Sequence, residues 1–423
     1  MTFPDRFLWG TATAAHQVEG NNIASDFWVL ENMPGSFFAE PSGDACDQYR
    51  LYRQDIAQLE ELGFGSYRFS IEWARVEPED GRFSAAAIAH YRDVLETCHE
   101  FGITPMVTLH HFTSPRWLMR LGGWEYAGTP DRFAAYVRAV MAELGPLIPY
   151  VCTINEANIA PLIRSMMPAP ADDADSSHAP VGVGEAMADV FGDGLEAGAE
   201  ALGTTRDKMN VFLFTASDTG VEVVKQAHMA ARKAVREVSP DTQVGITLAL
   251  SDVQALPGGE QAADRMWAEH VEDFLPALDG DDFLGVQNYT RARVAATGMQ
   301  PHPEDAELTQ MGYEFYPQAL EGVLRRAARF GLPLIVTENG VATDDDGRRT
   351  AFIRIALEGV ERCLADGVDV RGYYYWSALD NFEWILGYQP TFGLIAVDRA
   401  TQRREVKDSA RYLGAIARRN SLT

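Results

Sequence analysis

Short apolar runs rich in β-branched and aromatic residues recur along the chain, most of them bounded by Gly or Pro. They are FLWGTATA (7–14), SYRFSI (66–71), TPMVTLH (104–110), PYVCTINE (149–156), QVGITLAL (243–250), FLGVQNYT (283–290), PLIVTENG (333–340) and RGYYYWSA (371–378). They show little polar alternation, as expected of parallel strands covered on both faces. Between them lie amphipathic stretches. DQYRLYRQDIAQLEELG (47–63) places Tyr49, Tyr52, Ile56, Leu59 and Leu62 at helical spacing; 130–145, 220–238 and 351–367 read the same way. Eight strands alternating with helices predict an α/β chain folded as a single (β/α)8 barrel with extended βα loops, spanning 1–423 as one domain. No short-period repeat or interdomain linker interrupts it. The Ala-, Asp- and Gly-rich segment 169–207 reads as a solvated strand-to-helix excursion over the barrel mouth, with a lid as the alternative and a short helix near 185–201.

Two of the strands close on an acid. Glu156 follows Asn155 at the end of the fourth run, and Glu338 precedes Asn339 at the end of the seventh. Chemistry in such barrels stands at the C-terminal ends of strands, so both acids are expected to face one mouth. Two carboxyl groups across a polar pocket are what acetal hydrolysis uses: one attacks the anomeric carbon, and the other protonates the departing oxygen and then activates water. Mutual repulsion raises the pKa of the acid, while a nearby cation keeps the nucleophile ionised. Arg68, in SYRFS, is the candidate cation.

Composition narrows the partners. Apolar residues make up 46% and charged residues 23% of 423 residues, an ordinary globular balance. The formal charge of −25 argues against nucleic acid or an anionic membrane as partner. Cys46, Cys98, Cys152 and Cys363 lack metal-like or redox spacing. The opening MTFPDRFLWG carries no basic-then-apolar leader, and no apolar run reaches the ~20 residues that span a bilayer. A soluble cytoplasmic protein is expected. His228, among Ala and Lys in a helix, reads as structural. His110 and His111 are adjacent in a strand, so they face opposite ways and do not form a joint metal site.

In sequence the chain resembles glycoside hydrolase family 1, the β-glucosidase-type retaining glycosidases. FLWGTATAAHQVEG, YRFSIEWARVEP, TLHHF, TINEA, VTENG and WSALDNFEWILGY follow in that family's order over nearly the whole length. The resemblance implies the same barrel, with Glu156 as acid/base and Glu338 as nucleophile. It also implies that Gln17 and His111 bind the non-reducing sugar, that Asn155 holds the 2-hydroxyl, and that Trp376 forms a platform beneath the ring. Glu383 and Trp384 take the far hydroxyls, and Tyr289 and Arg68 orient the nucleophile. The expected function is an exo-acting β-glucosidase with tolerance for β-galactosides or β-fucosides, acting on a small β-glycoside or oligosaccharide without metal or cofactor. A transglycosylase is the alternative within the fold, and a catalytically silent sugar-binding barrel is the alternative outside enzymes.

Four departures bear on substrate preference rather than reaction type. Gln287-Asn288-Tyr289 stands where the family usually has Asn-Tyr-Tyr, and TLHHF lacks a common indole. Ala157 replaces a Pro after the acid/base, and Glu72 replaces a Ser. Family members acting on 6-phosphosugars lack an acid at the Glu383 position, so an anionic side chain there implies an unphosphorylated sugar.

Overall fold

The computed structural model describes residues 2–166, 194, 196–215 and 217–423. Eight parallel strands close into a barrel: β1 (Leu8–Ala12), β2 (Ser66–Ser70), β3 (Thr104–Thr108), β4 (Tyr150–Cys152), β5 (Gln243–Ala249), β6 (Phe283–Gln287), β7 (Leu334–Asn339) and β8 (Val370–Trp376). The ring shuts where Leu8 to Ala12 pair with Gly372 to Trp376 on one side, and Gly10 to Ala12 pair with Ser66 to Arg68 on the other. Each apolar run therefore supplied one strand. The amphipathic stretches became α1 (Gln48–Leu62), α2 (Thr129–Leu144), α3 (Asp218–Val238) and α4 (Asp346–Ala365), which lie outside the ring.

Two apolar layers result. The larger packs helices on the outward strand faces, with Ile56, Leu59, Val137, Val140, Val224 and Ile353 among its buried residues. The smaller fills the barrel interior with Ala12, Met106, Cys152, Phe283, Ile335 and Tyr374. Such a barrel is a plugged core with a floor, not a pore. Two additions rise from the C-terminal end. Asp252–Ala255, Arg291–Ala295 and Gly298–Gln300 form a small sheet after β5 and β6, and Ile395–Asp398 pairs with Arg403–Val406. Residues 196–201 are helical, with Ala199 buried; most of the solvated excursion expected over 169–207, with a lid as its alternative, and most of its short helix fall outside the described residues. Among the described residues no helix is long and apolar enough to cross a membrane.

Strand ends differ from the expectation. β4 stops at Cys152, so Glu156 lies in the turn beyond the strand rather than at its last position. The apolar pattern continues there because Ile154 is still buried, but the ladder is replaced by crossing bonds from Asn155 N to His110 O (2.8 Å) and from Ala157 N to Thr247 O (3.0 Å). The Glu156 backbone adopts φ +43°, a left-handed value uncommon outside Gly, Asn and Asp. β3 likewise ends at Thr108, so His110 and His111 follow the strand rather than belong to it. They still diverge: His110 enters a cluster with Trp124 and Phe212, while His111 faces Trp376 and Trp384.

β7 carries the irregularity that matters most. Val336 pairs with Val286, yet the next partner, Gln287, pairs with Glu338 rather than Thr337. One residue is extra. Strict alternation from the inward Ile335 would aim Glu338 at the helices; the bulge returns it to the barrel axis. Gly340 then follows because a Cβ there would lie 1.9 Å from the Trp376 carbonyl oxygen.

Asn158 locks the turn carrying Glu156. Its amide donates to Ala249 O and His270 O and accepts from Ala249 N, each at 2.8 Å. Removing such partners leaves buried backbone groups unsatisfied. Asn158→Ala is expected to lose about 2–4 kcal/mol, lowering Tm by about 2–5 °C in a chain this long. An unchanged calorimetric Tm would contradict that role.

Candidate active site

Arg68 stands at the centre of the mouth with no exposed surface. It is inward on β2, and its guanidinium donates from Nη1 to Glu338 Oε1 (2.5 Å) and Thr337 O (3.2 Å), and from Nη2 to Asn155 Oδ1 (2.5 Å). Tyr289 donates its phenol proton to the other carboxylate oxygen, Glu338 Oε2, at 2.6 Å. Both oxygens of Glu338 are thus held, and its residual exposure is 3%.

Glu156 is treated differently. Its backbone N–H bonds Thr247 Oγ1 at 2.9 Å, but among the described residues no side chain donates to its carboxyl group. Burial, then the negative charge of Glu338, push its pKa well above the usual carboxylate range, with Arg68 opposing. Burial also raises Glu338, but there Arg68 and the Tyr289 hydrogen bond pull in the opposite direction. Two buried acids facing one pocket are thereby separated: Glu156 is raised further than Glu338 and holds its proton more tightly.

The polar wall opposite is built from the end of β8 and the loops after β1, β3 and β8. Gln17 spends its amide protons on Asn381 Oδ1 (2.9 Å) and Phe382 O (2.7 Å), with Glu383 Oε2 at 3.4 Å, which leaves Gln17 Oε1 buried and unpartnered. Glu383 accepts from Trp376 Nε1 at 3.4 Å. Burial pushes the Glu383 carboxyl up to about 8, so near neutrality it is mostly protonated rather than the anion expected from sequence. His111 stacks between Trp376 (5.8 Å, 23°) and Trp384 (6.2 Å, 18°), with Nδ1 unpartnered. Burial, reinforced by Arg68, holds the His111 pKa well below its usual value, keeping the ring neutral. Trp384 in turn lies parallel to His16 (5.8 Å, 6°), whose ring is pinned by Glu31 at 3.1 Å.

All ten residues singled out from sequence meet at this mouth: Arg68, Asn155, Glu156, Tyr289, Glu338, Gln17, His111, Trp376, Glu383 and Trp384. His228 stays apart and buried, bonding Thr153 Oγ1 at 2.7 Å beneath the Glu156 turn. Two neighbours carry no role read from the sequence: Gln287, which stands out only as a departure from the family, and Tyr313, which does not stand out at all. Gln287 donates to Asn155 Oδ1 at 2.7 Å. Tyr313, half-buried in a loop without periodicity, has its phenol pushed up to about 12 by burial and then by the charges of Glu156 and Glu383. Among the described residues no group of three or more His, Cys, Asp or Glu is placed to hold a metal ion.

The model of glycosyl hydrolase family 1 matches residues 1–278 and 279–422. The chain belongs to that family. It is a glycoside hydrolase, and its relatives cover it almost end to end. Beta-glucosidase A of Acetivibrio thermocellus is 29% identical, covering 99% of both chains. The bifunctional beta-D-glucosidase/beta-D-fucosidase of Bifidobacterium breve is 30% identical, covering 97% of this chain and 96% of its own. The crystal structure of β-glycosidase BGL167 superposes with a TM-score of 0.91 at 51% identity, covering 99% of the hydrolase and 98% of that chain.

The coupling between the two acids of the hydrolase is measurable without substrate. In Glu338→Gln the negative charge that raises Glu156 disappears, and Arg68 is left uncompensated beside it, so the Glu156 pKa is expected to fall. Carboxyl ¹³C NMR titration of labelled Glu reads this directly. A Glu156 pKa that stayed put or rose would show that the two groups do not sense one another.

Proposed function

We propose that this hydrolase is a retaining exo-β-glycosidase acting on unphosphorylated β-glucosides, with tolerance for β-galactosides or β-fucosides, and that residues 1–423 work as one catalytic unit. The observation that carries the reading is the unequal treatment of two buried carboxyls. Glu338, ionised and gripped at both oxygens, suits attack on the anomeric carbon. Glu156, held protonated, suits delivery of a proton to the departing glycosidic oxygen. The C–O bond to the leaving group breaks as the Glu338 oxygen bonds to carbon. Glu156, now ionised, then takes a proton from water, whose oxygen displaces Glu338 and restores the starting configuration.

The remaining wall suits a terminal sugar. The Trp376 indole offers a face for C–H groups, with Trp384 beside it. The unpartnered atoms of Gln17, His111 and Asn155 await hydroxyls. A mostly protonated Glu383 both donates and accepts. Phosphate is disfavoured because among the described residues no Lys or Arg pairs with Glu383, so a 6-phosphate would be buried without a counter-ion there. The fucosidase activity in the name of the Bifidobacterium breve relative supports tolerance at the sugar's 6-position.

Small anions separate the roles of the acids. With an activated aryl glucoside and azide, Glu156→Ala is expected to give the β-azide by attack on the α-linked intermediate, and Glu338→Ala the α-azide by direct displacement. Anomers identified by NMR in the reverse pattern would refute the assignment. For Glu383→Ser, kcat/KM on an aryl β-glucoside should drop by about 10–100-fold, since each lost hydrogen bond in a closed site is worth about 1–3 kcal/mol. Unchanged efficiency would mean that this acid does not reach the sugar.

A further inference from the structure

Gln287 is the residue at which the chain departs from its family beside the nucleophile, and its contacts define a chain of forced polarities. Arg68 has donors only. The Asn155 atom 2.5 Å from Arg68 Nη2 is therefore the oxygen, Oδ1. Gln287 approaches that same oxygen at 2.7 Å and must present its NH2 group, Nε2. The consequence reaches the pocket from both amides. Asn155 is left with Nδ2 and Gln287 with Oε1, and both atoms are buried with no partner among the described residues. Gln287 itself is 1% exposed and pairs in register with Glu338 on the neighbouring strand.

Arg68 alone does not hold the Asn155 amide, because a single donor at the end of a side chain leaves its plane free to tilt. Two donors converging on one oxygen fix both its identity and its direction. An inverted Asn155 would set NH2 against the guanidinium and the Gln287 NH2 together. The Thr247 hydroxyl, Oγ1, sits at 3.5 Å from the same oxygen and is too distant to do the same work.

We propose that Gln287 is a positioning residue for sugar recognition: it locks Asn155 with its NH2 directed at the hydroxyl next to the anomeric carbon. This rests on the reading of Asn155 as the partner of the sugar 2-hydroxyl. Gln287 acts through Asn155, so its influence must vanish when either Asn155 or that hydroxyl is removed. A merely structural role predicts no such dependence.

The test is a cycle of two residues and two substrates. Wild type, Asn155→Ala, Gln287→Met and the double variant are assayed on an aryl β-glucoside and on its 2-deoxy analogue with the same leaving group. Gln287→Leu, which also lacks the donor, serves as the second variant should Gln287→Met fold poorly. On the glucoside, both single substitutions should lower kcat/KM by about 10–100-fold, and the double variant should be no worse than Asn155→Ala. On the 2-deoxy substrate each loss should shrink to within about threefold of wild type. A loss for Gln287→Met or Gln287→Leu that is the same on both substrates, or losses that multiply in the double variant, overturn the proposal while leaving Asn155 in place. Equal losses for Asn155→Ala on both substrates overturn the reading of Asn155 itself, and the proposal with it.

Discussion

The ion pair between Arg68 and Glu338 is the constraint around which the mouth of the barrel is arranged. Burying two charges is favourable only when hydrogen bonds satisfy them on all sides; removing either partner leaves an uncompensated charge in a low-dielectric site. The surroundings meet most of that demand. Thr337 O and Asn155 Oδ1 accept from the guanidinium Nη atoms and Tyr289 donates to the second carboxylate oxygen, while Arg68 Nε has no partner among the described residues. Each of those partners is thereby fixed in orientation, and each lines the pocket. One electrostatic requirement thus orders half the wall.

The same pair explains why two glutamates in one cavity behave unlike each other. Desolvation acts on both and Arg68 opposes it on both, but only Glu338 also accepts hydrogen bonds from the cation and the phenol. Glu156 then feels a fixed negative neighbour and resists ionising. Glu383 completes the pattern, raised by burial with only the Trp376 and Gln17 hydrogen bonds opposing. The pocket therefore concentrates its charge at one oxygen pair and keeps the rest of the wall neutral but polar, which suits a neutral, hydroxyl-rich ligand.

Much of this was legible in the chain. Eight apolar runs gave eight strands because a parallel sheet covered on both faces has no reason to alternate, and the two acids at the run ends declared the mouth. Strand ends were not legible. Ile154 and Leu109 continue the apolar pattern past the ends of their strands, because buried turns need apolar side chains as much as strands do. Polarity at depth was hidden as well: Glu383 reads as an anion until its burial is known, and Gln287 reads only as a departure from the family until its contact with Asn155 is seen. Tyr313 belongs to a loop whose path follows from tertiary bonds, such as Gln310 N to Ala342 O (3.0 Å), rather than from any local period.

The extra residue in β7 sets a limit on how freely this scaffold can be reshaped. Barrel closure depends on strand number, tilt and shear, and none of these needs the step between Val336 and Glu338. Designers favour a regular ladder because it is easier to specify and more stable. A chain regularised at that step would still fill its interior and close its ring, yet it would turn a carboxylate outward into the helical layer and leave Arg68 facing an empty mouth. Here foldability and chemistry are encoded by separate features of one strand, and selection for the first alone would erase the second.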